Sequence, residues 1–381
     1  MEYVQSRVTT LHDLVDPLPT APTDRTAVVV PVAEREFETP AATRVFRVLE
    51  GLDPARVVVP LRATPDRIGP VHEWLSGFDL DLDLLWCDGS RVASLLSDVG
   101  LDGERGKGRD VWLGLGRAAD EEFVVVHDAD TVTYDESFVR RLLFPLTRGY
   151  DFSKGYYARV EDGRLYGRLF RLFYAPLVRA LVDANPDPYL KYLDAFRYAL
   201  AGEFAATAET ARRLRPPRKW GLEVGTLGDA FDVAGFDGTA QVDLGVYEHD
   251  HRAVGGSTGL SDMSRSVGET LLRGVLEHGV DVDFATLRER YRDAAETLVE
   301  QYALDAAFND LEFDREHERS QVAAYADAIT KPSPTDNRLP AWNETPLSAD
   351  ALAAAAAADV DEATNTRHGG IAAADAGGFG E

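Results

Sequence analysis

The sequence predicts an α/β layer fold built on a mostly parallel sheet. Two observations predict it: short β-branched or apolar runs recur through the first third of the chain, and segments of helical period separate them. Thr26–Val30 (TAVVV) stops at Pro31, the pattern of a strand buried on both faces. Arg56–Leu61 (RVVVPL), Asp81–Cys87 (DLDLLWC) and Phe123–Val126 (FVVV) repeat it. Between them, Ala42–Leu49, Ser90–Leu96 and Asp110–Ala118 have helical period. Strands alternating with helices give a parallel sheet with helices on its faces. Such sheets bind ligands beyond the carboxyl ends of the strands. That rule directs attention to Pro31–Glu36, Asp88 and His127–Asp130.

The rest of the chain reads differently. Residues 1–24 form a poorly periodic lead-in punctuated by Pro17, Pro19 and Pro22. Leu165–Leu181 is apolar and helical, Trp220–Phe231 is a second helix, and Thr239–Val246 (TAQVDLGV) alternates like a strand. Ser264–Leu276 and Asp283–Leu304 are helical, and the second, charged helix offers a homodimer surface. Lys331–Pro340 reads as a linker. The Ala-, Gly- and Asp-rich residues 341–381, with the run Ala353–Ala358, offer little to bury and read as mobile.

Composition narrows the class. The 381 residues include 65 acidic and 40 basic side chains, a net charge of −25, and only five of the basic ones are lysine. Hydrophobic residues make up 45% of the chain, enough to bury a core. The charge argues against a general nucleic-acid or anionic-membrane surface. No apolar run reaches the ~18 residues a spanning helix needs. The start, MEYVQSRVTT, lacks the regions of a signal peptide, and the single Cys87 permits neither an intrachain disulfide nor a Cys-based zinc site. The expected setting is the cytosol. A lysine-poor acidic surface is self-repelling unless salt shortens the Debye length, to about 3 Å at 1 M, so the chain reads as salt-adapted; the alternative is an ordinary acidic protein of a GC-rich genome, where codon bias replaces lysine by arginine.

Four short segments carry candidate chemistry. In His127-Asp128-Ala129-Asp130 the two carboxylates are spaced i, i+2 and point the same way in an extended segment, able to share a Mg²⁺ or Mn²⁺ with a diphosphate. D-x-D is cheap in an acidic chain and recurs at Asp79/Asp81 and Asp359/Asp361. Only Asp128/Asp130 follows a run expected to be a central strand. Gly106-Lys107-Gly108 sets a cation between glycines at a helix start; the alternative is a surface loop. Tyr247–His251 ends the TAQVDLGV strand, where His249 can complete a ligand set with Asp130 or sit in a solvated turn. Leu200-Ala201-Gly202-Glu203 and Trp220-Gly221-Leu222-Glu223 pair glycine with an acid able to hold hydroxyls, or are a helix start and a buried acid. No G-x-G-x-x-G, G-x-x-x-x-G-K-[ST] or G-x-S-x-G is present.

In order and spacing these segments resemble the glucosyl-3-phosphoglycerate synthases, retaining glycosyltransferases of the GT-A fold. The resemblance is carried by VVVPVAERE (Val28–Glu36), GKGRDVW (Gly106–Trp112), VVVHDAD (Val124–Asp130), YGRLFRLFYAPL (Tyr166–Leu177), LAGEFAAT (Leu200–Thr207), WGLEVGTLGDAF (Trp220–Phe231), AQVDLGVYEHDH (Ala240–His251) and LSDMSR (Leu260–Arg265). It implies a metal-dependent enzyme moving a hexose from UDP-glucose, GDP-glucose or GDP-mannose to a phosphorylated small acceptor, most simply 3-phosphoglycerate. It implies donor contacts from Pro31, Val32, Ala33, Glu34, Glu36, Lys107, Asp128 and Ala129. Asp130 and His249 would hold Mg²⁺ or Mn²⁺, while the Leu200 carbonyl and Glu223 would serve the sugar, making Leu200, Glu223 and Asp130 the catalytic set. Gly167, Arg168, Leu169 and His251 would bind the acceptor.

The chain departs from the family at Arg35, at Phe170 (usually a small hydroxyl residue), at Tyr247 (usually basic) and at His251 (usually an amide). The resemblance divides the chain into a lead-in (1–24), a GT-A catalytic domain (25–280, with a nucleotide-binding half 25–150 and an acceptor half 151–280), C-terminal helices (281–331) and a flexible tail (332–381). The rival readings are transfer to glycerate, a polyprenyl phosphate or a glycan, and, in other classes, a sugar-nucleotide nucleotidyltransferase or a non-catalytic binding protein.

Overall fold

The computed structural model describes residues 7–12, 18–248, 250 and 257–375. Its strands are β1 Thr9–Leu11, β2 Thr26–Val29, β3 Val32–Ala33, β4 Arg56–Arg62, β5 Leu82–Trp86, β6 Phe123–Val126, β7 Phe152–Ala158, the short hairpin β8 Val160–Glu161 and β9 Arg164–Leu165, β10 Phe204–Thr207 and β11 Thr239–Val246. The helices are α1 Pro40–Leu52, α2 Pro65–Leu75, α3 Ser90–Asp98, α4 Lys107–Ala118, α5 Glu136–Leu143, α6 Ala175–Ala184, α7 Pro188–Leu193, α8 Ala208–Arg213, α9 Leu222–Ala234, α10 Ser257–Glu277, α11 Phe284–Phe308, α12 Arg315–Ala326 and α13 Ala349–Asp375.

One sheet takes every strand but the hairpin, in the order β1-β11-β7-β10-β6-β2-β4-β3, with β5 also paired to β4. All its pairings are parallel except those of β10, which runs antiparallel to β6 and β7. That reversal matters for the site. Phe204 sits opposite Val126, so the turn entering β10 lands on the same sheet edge as the segment leaving β6.

The valine runs form central strands because both of their faces are covered. Ala27, Val29, Val124 and Val126 pack into the core under α4, with Val111, Trp112 and Leu115. Val28, Val30 and Val125 pack into the opposite one, with Val45, Phe46 and Leu49 of α1 and Phe138 and Leu142 of α5. A run buried on both faces shows no alternation, which is why it reads as continuous apolar sequence.

Three sequence expectations are corrected. The helix expected over Leu165–Leu181 begins later: Leu165 closes the β8–β9 hairpin, a π-turn spans Phe170–Tyr174, and regular helix runs from Ala175 to Ala184. The lead-in supplies an edge strand, with Thr9–Leu11 pairing with Ala240–Val242. The tail from 332, expected to be flexible, is largely ordered. Trp342 stacks on Trp112 with ring centroids 4.5 Å apart. Along α13, Leu352, Ala356 and Val360 are buried, and the helix packs against β5, α2 and α3. Small alanine side chains allow that close approach at little entropic cost. No helix among the described residues is long and apolar enough to cross a membrane.

Candidate active site

A cavity of about 480 Å³ opens at the carboxyl edge of β2, β4 and β6. Pro31, Val32 and Ala33, on the segment leaving β2, line one wall with Glu36. The Ala33 amide donates to Glu36 Oε2 at 2.6 Å. Burial raises the Glu36 pKa, and the nearby Asp130 and Asp128 push the same way.

Asp128, Ala129 and Asp130, leaving β6, line the floor with Lys107 from the first turn of α4. Lys107 Nζ lies 2.5 Å from Asp128 Oδ1. Burial works against that ammonium, but Asp128 and Glu223 outweigh it and raise its pKa. The helix can start here because Gly108 has no Cβ, which would overlap the Pro217 carbonyl oxygen. The Arg109 amide in turn donates to the Arg218 carbonyl at 2.9 Å. That close approach brings Lys219 and Trp220 into the lining.

The turn entering β10 contributes Leu200 and Gly202. A Cβ on Gly202 would come within 2.8 Å of Asp128 Oδ2, so the turn lies directly against the floor. Glu223 enters from the first turn of α9. Its entry angle is set by Gly221 at φ +94°, a left-handed residue that glycine alone takes without strain.

The wall nearest the acceptor half is aromatic. Tyr247 stacks on Tyr157, centroids 4.1 Å apart, and its hydroxyl receives a 3.0 Å hydrogen bond from Thr131. Arg159 lies 5.7 Å over the Tyr247 ring. The chain past Tyr247 is tied to the floor, because the Val132 amide donates to the Glu248 carbonyl at 2.9 Å and the Asp250 amide to the Asp130 carbonyl at 3.0 Å. His249 and His251, the expected metal and acceptor ligands, lie outside the described residues.

Ten expected residues thus share the cavity: Pro31, Val32, Ala33, Glu36, Lys107, Asp128, Ala129, Asp130, Leu200 and Glu223. Four do not line it. Glu34 borders a neighbouring cavity of about 1280 Å³ between α2 and α13, and its Oε2 accepts from both the Thr64 amide and hydroxyl at 2.9 Å. Gly167, Arg168 and Leu169 stand behind the aromatic wall. Gly167 (φ +74°) rests on Tyr198, and the Arg168 guanidinium meets His317 of α12. Sequence reasoning missed Arg62, Arg105, Arg159 and Lys219, whose side chains also border the cavity. The only signal in reach was Arg105, two residues before Lys107.

Among the described residues no three His, Cys, Asp or Glu side chains are arranged to hold a metal ion. Asp130, beside the Lys107-paired Asp128, still fits one. Its hard carboxylate oxygens suit Mg²⁺ or Mn²⁺, which take few protein ligands and complete their shell with water and phosphate.

No family model matches the chain. Individual relatives do. The glucosyl-3-phosphoglycerate synthase of Methanococcoides burtonii is 33% identical, over 90% of this chain and 93% of that protein. The chain belongs to the glucosyl-3-phosphoglycerate synthase family. The family member from Persephonella marina is 35% identical over 80% of each chain. Among solved structures, the synthase from Mycobacterium tuberculosis in complex with Mn²⁺, UDP-glucose and phosphoglyceric acid has a TM-score of 0.54 and 27% identity, covering 72% of this chain and 89% of that one. A crystal structure of that enzyme with Mg²⁺ and UDP has a TM-score of 0.54 and 28% identity. The fold is therefore GT-A and the protein a glycosyltransferase, as the resemblance implied.

Proposed function

We propose that this chain transfers a hexose, with retention, from a nucleoside diphosphate sugar to 3-phosphoglycerate, with Mg²⁺ or Mn²⁺ bound. UDP-glucose, GDP-glucose and GDP-mannose are the donor candidates. The observation that carries the reading is the convergence of Lys107, Asp128, Asp130, Leu200 and Glu223 on one cavity, in a chain that aligns with 93% of a curated synthase.

In this reading Pro31, Val32 and Ala33 flank the base, with Glu34 and Glu36 supporting that wall. Asp128 takes the ribose and Ala129 abuts the diphosphate. Asp130 and His249 hold the cation, which when bound neutralises charge on the leaving diphosphate. Lys107 lowers the same charge from the protein side, held in place by Asp128. Positive charge developing at the anomeric carbon is eased by the Leu200 carbonyl, while Glu223 binds sugar hydroxyls. The departing phosphate oxygen accepts the acceptor proton, so no carboxylate pair of the glycosidase kind is required. Arg168 grips the acceptor phosphate through its bidentate fork, after leaving His317, with Gly167, Leu169 and His251 beside it.

A matrix of the three donors against 3-phosphoglycerate, glycerate and glycerol 3-phosphate, in molar KCl with Mg²⁺ or Mn²⁺, tests the reading. Nucleoside diphosphate release only with metal and a phosphorylated acceptor is the expected result; no release with any pair would defeat it. Asp130→Ala is expected to abolish turnover, and Arg168→Ala to raise the acceptor KM while sparing the donor KM.

We further place the protein in the cytosol of a salt-adapted cell, supported by the −25 charge and by Cys87, a lone buried thiol suited to a reducing compartment. Homodimerisation through α11 is supported by Leu304 and Phe308, 68% and 87% exposed on that helix. A monomer mass by light scattering in molar KCl would remove it.

A further inference from the structure

Lys154 is among the largest fully buried side chains of the protein, 1% exposed on the central strand β7. It is also one of only five lysines in a chain that otherwise uses arginine. A buried ammonium is costly unless a specific partner repays it. Its hydrogen bond runs from Nζ to the Ala201 carbonyl oxygen, at 2.5 Å. Burial lowers the Lys154 pKa to about 8, opposed by the charges of Glu223 and Glu203.

The position of that bond is informative. The strand β7 holds the turn entering β10 at two points. The Gly155 amide donates to the Glu203 carbonyl at 2.9 Å, and Lys154 holds the Ala201 carbonyl. Asp128 closes against Gly202 from the third side. The Leu200 carbonyl lies one peptide earlier, on a residue that lines the cavity. Holding the Ala201 carbonyl restricts the tilt of the Leu200–Ala201 peptide, because only the φ and ψ of Ala201 separate the two planar peptides.

We propose that Lys154 is a positioning residue for glycosyl transfer: by holding the Ala201 carbonyl it aims the neighbouring Leu200 carbonyl into the donor cavity. The proposal rests on the functional reading above. Lys154 is absent from the cavity lining, so it acts through the Leu200–Gly202 turn. Misaiming a reacting group by about 1 Å can cost about 100-fold in rate.

The test compares wild type, Lys154→Met and Lys154→Arg as full-length protein with the best donor, 3-phosphoglycerate and Mg²⁺. K154M is expected to lose about 100-fold in kcat, with both KM values little changed. Its Tm is expected to fall, since the variant takes a cation away from the buried Glu203 and a donor away from the Ala201 carbonyl. K154R, which keeps a cationic donor, is expected to recover part of kcat. K154M with wild-type kcat overturns the proposal. So does a kcat loss matched by an equal loss of Tm in both variants, which marks a scaffold role only. If K154M does not fold, Lys154→Gln takes its place under the same criteria. A wild-type chain that releases no nucleoside diphosphate overturns the functional reading as well. An active wild type with an equally active variant removes only the role of Lys154.

Discussion

Lys107 Nζ and Asp128 Oδ1 meet 2.5 Å apart on the floor of the cavity, joining the first turn of α4 to the end of β6. Glu223 and Asp130 also act on this ammonium, which offsets the mutual repulsion of three carboxylates around one cavity. Lys107→Ala is expected to weaken nucleoside diphosphate binding and lower kcat/KM by at least about 100-fold, because the floor loses its cation and Asp128 loses this ion pair. Calorimetric titration of the diphosphate and initial rates read the two effects separately.

The start of α4 depends on Gly108 lying against the Pro217 carbonyl. Gly108→Ala is expected to force that loop away and shift Lys107 and Lys219 with it. A destabilisation of about 1–3 kcal/mol in urea unfolding, the usual cost of overpacking, should accompany a raised donor KM. Unchanged stability would mean the helix start is less constrained than its geometry states.

Two hydrogen bonds tie Trp112 to the Pro340–Trp342 segment. The Trp112 indole donates to the Pro340 carbonyl at 2.8 Å, and the Trp342 indole to the Trp112 carbonyl at 2.6 Å. Trp342→Ala is expected to destabilise the protein by about 3–5 kcal/mol, as for other buried aromatic truncations. Denaturant titration followed by tryptophan fluorescence measures it.

Asp229, on the helix that carries Glu223, is buried and its pKa is pushed up to about 7, although it accepts a 2.6 Å bond from the Arg215 amide. A carboxyl with a raised folded pKa adds stability that is complete below the unfolded value near 3.8 and disappears as pH rises through about 7. Asp229→Asn keeps an acceptor for Arg215 and cannot ionise. Its Tm relative to wild type is therefore expected to climb between about pH 4 and 7 and level off above. A flat difference across that range would contradict the assignment.

Much of the nucleotide-binding half was legible because its signals are local. Valine runs buried on both faces, glycines at Gly106 and Gly108, and the carboxylates after FVVV each declare themselves within a few residues. The cavity residues missed are of another kind. Arg62, Arg105, Arg159 and Lys219 are ordinary surface cations until the fold turns them inward, and Lys154 is unremarkable inside FSKGYYA. The tail was misread for a related reason. Ala353–Ala358 looks like little to bury when counted alone, but its value lies in the close approach it allows to β5 and α3, which no local pattern reveals. Leu165–Leu181 was blurred because the π-turn and the helix that follows it share one apolar composition.

Asp359 lies on α13, 268 residues after Arg91, yet its carboxylate accepts from the Arg91 and Val92 amides at 2.9 and 3.2 Å and so caps the start of α3. It fills the space a side chain at Gly89 would occupy. The order of synthesis therefore differs from the order of completion. A ribosome that has already made every described strand of the sheet has still not delivered the group that finishes α3, so the nucleotide-binding half reaches its final form only after α13 has been made.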